Sequence, residues 1–221
     1  MDLSLNNNLI KRIISSIFIL PIVIISIYLG NSIYFIFLTL ITLISFNELK
    51  NISTNNYIYI FSSLIIIIFF YSAWELRSGP NGFYLVLFVL LISIFTDIGG
   101  YLFGKILKGP KISKISPNKT YTGMIGSFLL PVFLIYFFLT HENNNEIYEQ
   151  IIYIGNFNLL FTIFVVSLIS QAGDFTVSYL KRKSNQKDTG KIIPGHGGLL
   201  DRIDGIIFAS IFYYLFIQFN F

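Results

Sequence analysis

Six long runs without a charged residue dominate this sequence of 221 residues. Each is near or above the ~17–20 residues that an α-helix needs to cross the hydrocarbon core of a bilayer. Hydrophobic residues make up 54% of the chain and charged residues 12%, which is far more apolar surface than one small soluble core can bury. The sequence therefore predicts an all-α, polytopic membrane helix bundle and excludes a water-soluble globular domain. The runs occupy residues 13–47, 51–74, 78–96, 120–140, 150–173 and 205–221.

The first run is too long for a single span. Gly30 and Asn31 in its middle form a turn signal, so it predicts two helices in a tight hairpin. Lys11 and Arg12 precede the run, and no small-residue cleavage site follows before the second span, so we interpret it as a retained anchor. This gives about seven transmembrane helices, the later ones near residues 57–74, 84–103, 124–140, 157–173 and 204–220.

The basic residues are distributed unevenly among the connections. Segment 104–123 carries five lysines and segment 174–202 carries six lysines and arginines, so the two hold eleven of the chain's fifteen basic residues. Segment 141–156 has three glutamates and no lysine or arginine. Because cytoplasmic loops of membrane proteins are enriched in basic residues, we expect a cytoplasmic N-terminus, both basic segments inside, and 141–156 outside. The net charge of +4 then indicates topology and phosphate or anionic-lipid contact, with no nucleic-acid partner.

Four aspartates are expected at one depth of this bundle. Asp97 ends the predicted fourth span and Asp174 the sixth, while Asp201 and Asp204 begin the seventh, all on the cytoplasmic side. Carboxylates beside hydrocarbon are costly, and they usually face the bundle interior, a partner or an aqueous cavity. Helix capping would explain one such aspartate, but four of them beside eleven basic residues favour a functional site.

The densest mixture of acid, base and glycine lies in residues 178–205. Lysine and arginine donate to phosphate oxygens, and Gly197 and Gly198 allow close backbone approach just before a helix N-terminus, which favours an anion. Asp201 and Asp204 share one helix face, so both can point at one divalent cation beside a nucleotide phosphate. Anchoring at the membrane surface would explain the lysines and arginines, but not the glycines or carboxylates. The chain has no cysteine, which excludes thiolate catalysis and disulfides.

This stretch resembles the signature of the phosphatidate cytidylyltransferases, the CDP-diacylglycerol synthases. It runs from Ser178 to Asp204 as Ser-x-x-Lys-Arg, four residues, Lys-Asp-x-Gly, and then Pro-Gly-His-Gly-Gly-x-x-Asp-Arg-x-Asp. Residues 96–104, 115–120 and 171–174 are also similar to segments of that family, so the resemblance covers about half the chain. It departs at Thr122, where the family usually has glutamate, and residues 1–95 match the family only in hydropathy.

The resemblance implies the transfer of a cytidylyl group. A phosphate oxygen of phosphatidate attacks the α-phosphorus of CTP, which gives CDP-diacylglycerol and pyrophosphate without a covalent enzyme intermediate. Positioning and charge neutralisation by Mg²⁺, lysine and arginine are sufficient for such a displacement. CTP and phosphatidate are the implied substrates and Mg²⁺ the implied cofactor, and the sequence leaves open whether a monovalent cation joins it. The site is expected at the cytoplasmic face of the inner (plasma) membrane.

The resemblance also suggests individual roles. We expect Asp201 to be the principal metal ligand, Asp174 the second, and Asp204 a ligand or its close neighbour, with Asp97 the weakest candidate. Lys181 is expected to act on phosphate in catalysis, and His196 either moves a proton, donates to phosphate or is structural. The candidate substrate-binding residues are Lys119, Ser178, Arg182, Lys187, Gly197, Gly198 and Arg202.

The chain is expected to have two parts. Residues 1–95 form about three membrane spans, and residues 96–221 form a catalytic membrane domain that contains both basic segments. Because the chain is shorter than many relatives, its lipid groove is either reduced or completed by a second protomer in a homodimer. Two other functions fit some of the features: a CTP-dependent polyprenol or phytol kinase, and a transporter whose Asp97 and Asp174 relay ions. Transporters more often place such groups near the midplane of the bilayer.

Overall fold

The structure is a computed structural model that describes residues 3–79, 81–112, 119–140 and 159–219, with side chains from residue 14 onward in those ranges except that of Thr140. In this part of the chain all regular elements are α-helices, and β-pairing is limited to two isolated bridges, Lys111 with Thr120 and Ile193 with Gly197. The predicted all-α fold is confirmed. The helices are α1 (Leu3–Leu29), α2 (Asn31–Ile52), α3 (Asn56–Ser78), α4 (Gly82–Leu107), α5 (Tyr121–Thr140), α6 (Leu159–Lys183) and α7 (Leu200–Gln218).

Five of the described helices, α2 to α6, are long and apolar enough to cross a membrane. Residues 14–29 of α1 form a shorter apolar helix. The polytopic membrane architecture therefore agrees with the sequence, while seven spans and a cytoplasmic N-terminus stay predictions. The predicted external segment 141–156 lies outside the described residues.

The hairpin between α1 and α2 turns at Gly30, as predicted. Gly30 has φ 63°, a backbone conformation that glycine adopts without steric cost. Arg77 of α3 donates from Nε to the carbonyl of Ile27 at 2.6 Å and from Nη2 to that of Tyr28 at 3.1 Å. The guanidinium thus satisfies carbonyls at the end of α1, and it lies where a Cβ on Gly30 would be.

Two helix crossings depend on glycine. Between α4 and α5, a Cβ on Gly123 would lie 2.7 Å from the carbonyl oxygen of Gly100. Between α6 and α7, a Cβ on Gly173 would lie 2.6 Å from the carbonyl oxygen of Asp204. Small residues let helix backbones approach closely in membrane bundles. These crossings bring the polar parts of α4, α5, α6 and α7 together.

The helices continue beyond the apolar runs. α4 extends to Leu107 and α6 to Lys183, so Asp97 and Asp174 lie well inside helices instead of at their ends. Hydropathy marks only the apolar part of a helix, and basic residues in a last turn stabilise the helix end through its dipole. Lys105 in α4 and the 181–183 triplet in α6 occupy such last turns.

The first three helices are packed into the same interior as the later ones. One buried cluster joins Leu76 of α3 to Ile163 and Tyr213 of α6 and α7. A second joins Leu38 of α2 to Ile207 of α7. Residues 1–95 therefore contribute directly to the packing around the signature stretch, whereas the functional division at residue 95 stays a prediction.

Candidate active site

A polar cavity of about 230 Å³ lies between α4, α5 and α6. Asp97 of α4 and Asp174 of α6 line it together with Lys119, which precedes α5. Oxygen-bearing side chains complete much of the wall: Thr96, Thr120, Ser127, Gln171 and Ser178. Carboxylate and lysine side chains at one cavity can hold a cation and an anionic group side by side.

Asp174 is held by two neighbours. Its Oδ2 lies 2.5 Å from Lys119 Nζ, and its Oδ1 accepts a hydrogen bond from Ser178 Oγ at 3.2 Å, one helical turn later. The Lys119 ammonium also lies 3.8 Å from the ring centroid of Phe175. The lysine predicted to bind substrate and the aspartate predicted to bind metal are therefore direct partners.

Asp204 belongs to the same electrostatic cluster. Its side chain is buried and lies within electrostatic range of the Asp97 and Asp174 carboxylates. Lys181 is the basic residue within the same range of Asp204, while Lys119 and Arg202 are within that range of Asp97. Three of the four aspartates singled out in the sequence thus converge from α4, α6 and α7.

Asp201 lies one turn earlier on α7 and faces the preceding loop. Its Oδ1 pairs with Lys181 Nζ at 2.6 Å. Its Oδ2 accepts hydrogen bonds from the amides of Thr189 at 2.8 Å and Gly198 at 3.1 Å, and lies 3.1 Å from the Thr189 hydroxyl. This carboxylate connects the signature loop, residues 184–199 between α6 and α7, to the start of α7. It also holds Lys181, the lysine predicted to act on phosphate.

Glu48 of α2 is the important residue that the sequence analysis missed. Its carboxylate is buried and contacts Thr189, Leu199 and Leu200 of the signature stretch. The available signal was an acid at the end of the uncharged run 13–47, because an ionisable residue near hydrocarbon is a functional candidate by default. No sequence spacing connects it to a loop more than 140 residues away.

The backbone amides at the start of α7 do not face an open anion site in this structure. Gly198 N–H donates to Asp201, and the amides of Leu199 and Leu200 donate to Glu48. The anions that this helix start attracts are carboxylates of the chain itself. Gly197 has φ 87° and closes a turn in which Ile193 N–H donates to its carbonyl. Substrate binding by Gly197 and Gly198 stays a prediction.

His196 is fixed by contacts from both sides. Its Nδ1 forms a 2.7 Å hydrogen bond with Ser15 Oγ of α1. Arg202 donates from Nε and Nη2 to the His196 carbonyl, at 3.3 and 2.8 Å. Arg202 therefore stabilises the loop through these hydrogen bonds, in addition to contributing a positive charge near the aspartates. Arg182 and Lys187 are exposed, and Arg182 donates to the carbonyl of Gln186.

Thr122, which stands where the family usually has glutamate, has a structural role here. Its Oγ1 accepts a hydrogen bond from Gly109 N–H at 3.2 Å and lies 3.1 Å from Thr120 Oγ1. Thr120 in turn accepts from Gly123 N–H, which caps α5. The pair connects the segment after α4 to the start of α5, next to Lys119. Residues 113–118, which include most of the Ser-Pro-x-Lys-Thr segment, lie outside the described residues.

An apolar groove of about 580 Å³ lies beside the signature loop. α1 and α2 form two of its sides, and Ile192, Ile193, Pro194 and Leu199 form the third. His196 belongs to this loop, and Arg202 of α7 donates to its carbonyl, so the groove adjoins polar groups. Its dimensions and lining suit a hydrocarbon chain.

The donor set of the cluster suits Mg²⁺, a hard cation that prefers oxygen ligands. Among the described residues, no group of three or more His, Cys, Asp or Glu side chains is placed to hold one metal ion. A Mg²⁺ beside a triphosphate takes one or two carboxylates and completes its shell with water and phosphate oxygens, so the aspartates present fit this cation.

Comparison with known proteins agrees with this geometry. A family model described as "Cytidylyltransferase family" matches residues 50–220. A phosphatidate cytidylyltransferase of Rickettsia bellii is 34% identical over 209 residues, covering 92% of this chain and 88% of that protein. The enzyme of the same name from Rickettsia felis is 33% identical over 208 residues, covering 92% and 89%. That of Brucella suis is 35% identical over 138 residues, covering 62% and 48%. The chain belongs to the cytidylyltransferase family.

Proposed function

We propose that this protein is a phosphatidate cytidylyltransferase, which transfers CMP from CTP to phosphatidate and produces CDP-diacylglycerol and pyrophosphate. The observation that carries the proposal is similarity to enzymes of this name over 92% of the chain. The polar cavity supports it, because Asp97, Asp174 and Lys119 meet there between membrane helices.

The reaction is a displacement at phosphorus. A phosphate oxygen of phosphatidate forms a bond to the α-phosphorus of CTP, and the bond from that phosphorus to the bridging oxygen of pyrophosphate breaks. The enzyme's task is to hold two anions together and to neutralise the charge that builds up on the leaving group. Lys119, Lys181 and Arg202 are the cations of the charge cluster, and we assign them to the phosphates of the two substrates.

We assign the Mg²⁺ to Asp174 and Asp204, whereas the sequence analysis expects Asp201 to be the principal ligand. When bound, Mg²⁺ supplies charge neutralisation on the triphosphate. Asp174 and Asp204 are neighbours at the α6–α7 crossing, which favours this pair. Asp201 Oδ1 faces Lys181, so an ion at this oxygen would compete with the lysine.

We propose the apolar groove beside the signature loop as the site for a phosphatidate acyl chain. Ser15 and His196 lie at its polar edge, and the lining is otherwise aliphatic and aromatic. An acyl chain in this groove would bring its headgroup close to Arg202.

The reaction class is tested with purified protein, phosphatidate and labelled CTP. Label is expected in a lipid product, pyrophosphate is expected in equal amount, and turnover should require both phosphatidate and Mg²⁺. Omission of phosphatidate and addition of EDTA are the controls. Release of CDP together with a phosphorylated alcohol would support the lipid-kinase alternative instead.

The protein is proposed to reside in the inner (plasma) membrane with its active site at the cytoplasmic face. The support is the segregation of eleven basic residues into two segments. Single cysteines can be introduced without background because the chain has none. A cysteine at Asn144 should react with an impermeant reagent on intact cells, whereas cysteines at Lys111 and Lys187 should react only after permeabilisation. Labelling at Lys187 in intact cells would contradict access of CTP from the cytoplasm.

A further inference from the structure

We infer that Glu48 is a positioning residue of the active site: its buried carboxylate clamps the signature loop to the start of α7 and thereby fixes Asp201 and Lys181. This inference rests on the proposed function for its catalytic consequence. The clamp itself is a structural property, and it can be measured without catalysis.

The clamp consists of three hydrogen bonds to one carboxylate. Oε1 of Glu48 accepts from Leu199 N–H at 2.8 Å. Oε2 accepts from Leu200 N–H at 2.8 Å and from the Thr189 hydroxyl at 2.7 Å. Glu48 is 1% exposed and Thr189 is 1% exposed, so water does not compete for these bonds. Hydrogen bonds to a buried charged group are among the stronger ones in proteins.

Two glycines of the signature make room for this carboxylate. A Cβ on Gly190 would lie 2.6 Å from Glu48 Oε1, and a Cβ on Gly198 would lie 2.5 Å from Oε2. Any larger residue at either position would displace the acid. Gly190 and Gly198 are therefore explained by contact with Glu48. For Gly198 this reason differs from the close approach to phosphate expected from the sequence.

The clamp acts on the candidate catalytic residues through shared partners. Thr189, which donates its hydroxyl to Glu48, donates its amide to Asp201 Oδ2 at 2.8 Å. Asp201 in turn pairs with Lys181 at 2.6 Å. The hydrogen-bond partners of Glu48 do not belong to the residues that line the polar cavity, so we expect its effect on catalysis to pass through the position of the Asp201–Lys181 pair.

A carboxylate is the side chain that fits this place. All three partners of the Glu48 carboxylate are hydrogen-bond donors. They are the Thr189 hydroxyl, the amide of Leu199, which precedes α7, and the amide of Leu200, the first residue of α7. The positive end of the helix dipole stabilises a negative charge at this point. In Glu48→Gln, the amide nitrogen would face at least one of these N–H donors and leave it unsatisfied.

The test compares Glu48→Gln with Glu75→Gln, which removes a glutamate from the neighbouring helix α3 as a matched control. In the purified protein, hydrogen exchange at the amides of Leu199 and Leu200 should become at least about tenfold faster in Glu48→Gln, because a buried hydrogen bond is lost. Exchange should be unchanged in Glu75→Gln. The kcat for CDP-diacylglycerol formation should fall at least about tenfold while the KM for CTP changes less than about threefold, since binding groups are retained.

Thr189 provides a second pair of variants that does not alter a charge. Thr189→Val keeps the shape and removes the donor to Glu48, so it should lower kcat in the same way. Thr189→Ser restores the hydroxyl and should recover most of the loss, an outcome that depends on the hydrogen bond and not on packing. Because the Thr189 hydroxyl also lies 3.1 Å from Asp201 Oδ2, exchange at the Leu199 and Leu200 amides is measured in both variants, and faster exchange in Thr189→Val alone assigns the effect to the clamp. If Glu48→Gln fails to fold, this pair of variants still decides the question.

Unchanged exchange at Leu199 and Leu200 in Glu48→Gln would overturn the clamp, as would equal kcat values for Thr189→Val and Thr189→Ser. Wild-type protein that is inactive with CTP and phosphatidate would contradict the proposed function, whereas the exchange measurement would still decide on the clamp. The two failures are therefore distinguishable.

Discussion

Replacement of Asp174 by asparagine is expected to lower kcat at least about 100-fold, the scale on which the loss of one charge-stabilising group acts in an active site. Asparagine keeps the size of the side chain and removes the charge that pairs with Lys119 at 2.5 Å and interacts with Asp204. The remaining activity should require a higher Mg²⁺ concentration, because the carboxylate that we propose as a Mg²⁺ ligand is lost. The measurement is turnover of CTP and phosphatidate at a series of Mg²⁺ concentrations.

Asp97→Asn is the matched comparison for Asp174→Asn, since both residues line the same cavity. We expect a milder loss and an unchanged Mg²⁺ dependence for Asp97→Asn. Asp201→Asn should be as severe as Asp174→Asn, because Asp201 holds Lys181 and the Thr189 amide as well as being a candidate ligand. Near-normal turnover of Asp174→Asn at limiting Mg²⁺, with normal expression, would exclude Asp174 as a ligand.

Gly198→Ala is expected to remove activity and to lower the melting temperature of the purified protein. A Cβ at this position would overlap the Thr189 hydroxyl and approach Glu48 Oε2 to 2.5 Å, and neither atom can move without breaking the clamp. Forced overpacking of a well-packed site costs about 1–3 kcal/mol and sometimes more. Gly79→Ala is the control, because a Cβ there would meet no atom within 4 Å.

Activity and melting temperature together show which results would contradict the prediction for Gly198→Ala. Loss of activity with an unchanged melting temperature would mean that Gly198 acts on substrate, as the sequence analysis expected, and not through Glu48. Unchanged activity would mean that the loop tolerates a side chain at this position.

Much of the fold follows from the sequence because lipid imposes a simple rule. Every backbone polar group in the hydrocarbon must be hydrogen-bonded internally, so long uncharged runs become helices wherever they occur. The Gly30 turn between α1 and α2 was predictable for a similarly local reason, since only a residue tolerant of φ 63° closes so short a connection. The ends of α4 and α6 were predicted less well. Hydropathy detects only the apolar part of a helix, whereas the backbone hydrogen bonds of these helices continue into the polar residues that follow.

The candidate site was only partly predictable. The motif from Ser178 to Asp204 identified Lys181, Asp201 and Asp204, since the types and spacing of those residues carry chemical information, and the end of the preceding span identified Asp174. Which carboxylate is paired with which cation was not predictable: Asp174 with Lys119 and Asp201 with Lys181 are contacts across helices. The sequence predicted a free anion site at the start of α7, but the Glu48 carboxylate occupies that place. This contact was not predictable either, because it joins two helices that are distant in the chain.

The sequence by itself determined that this chain forms a helical membrane bundle and that a stretch resembling the cytidylyltransferase signature lies between its last two helices, because both features depend only on residues that are neighbours in the chain. Only the tertiary structure decided that α1 and α2 complete the site, through Ser15 at His196 and Glu48 at Thr189. Those partners lie 181 and 141 residues apart in the chain. Contacts over such separations are set by how the helices pack, and packing depends on side-chain shape at all the crossings together.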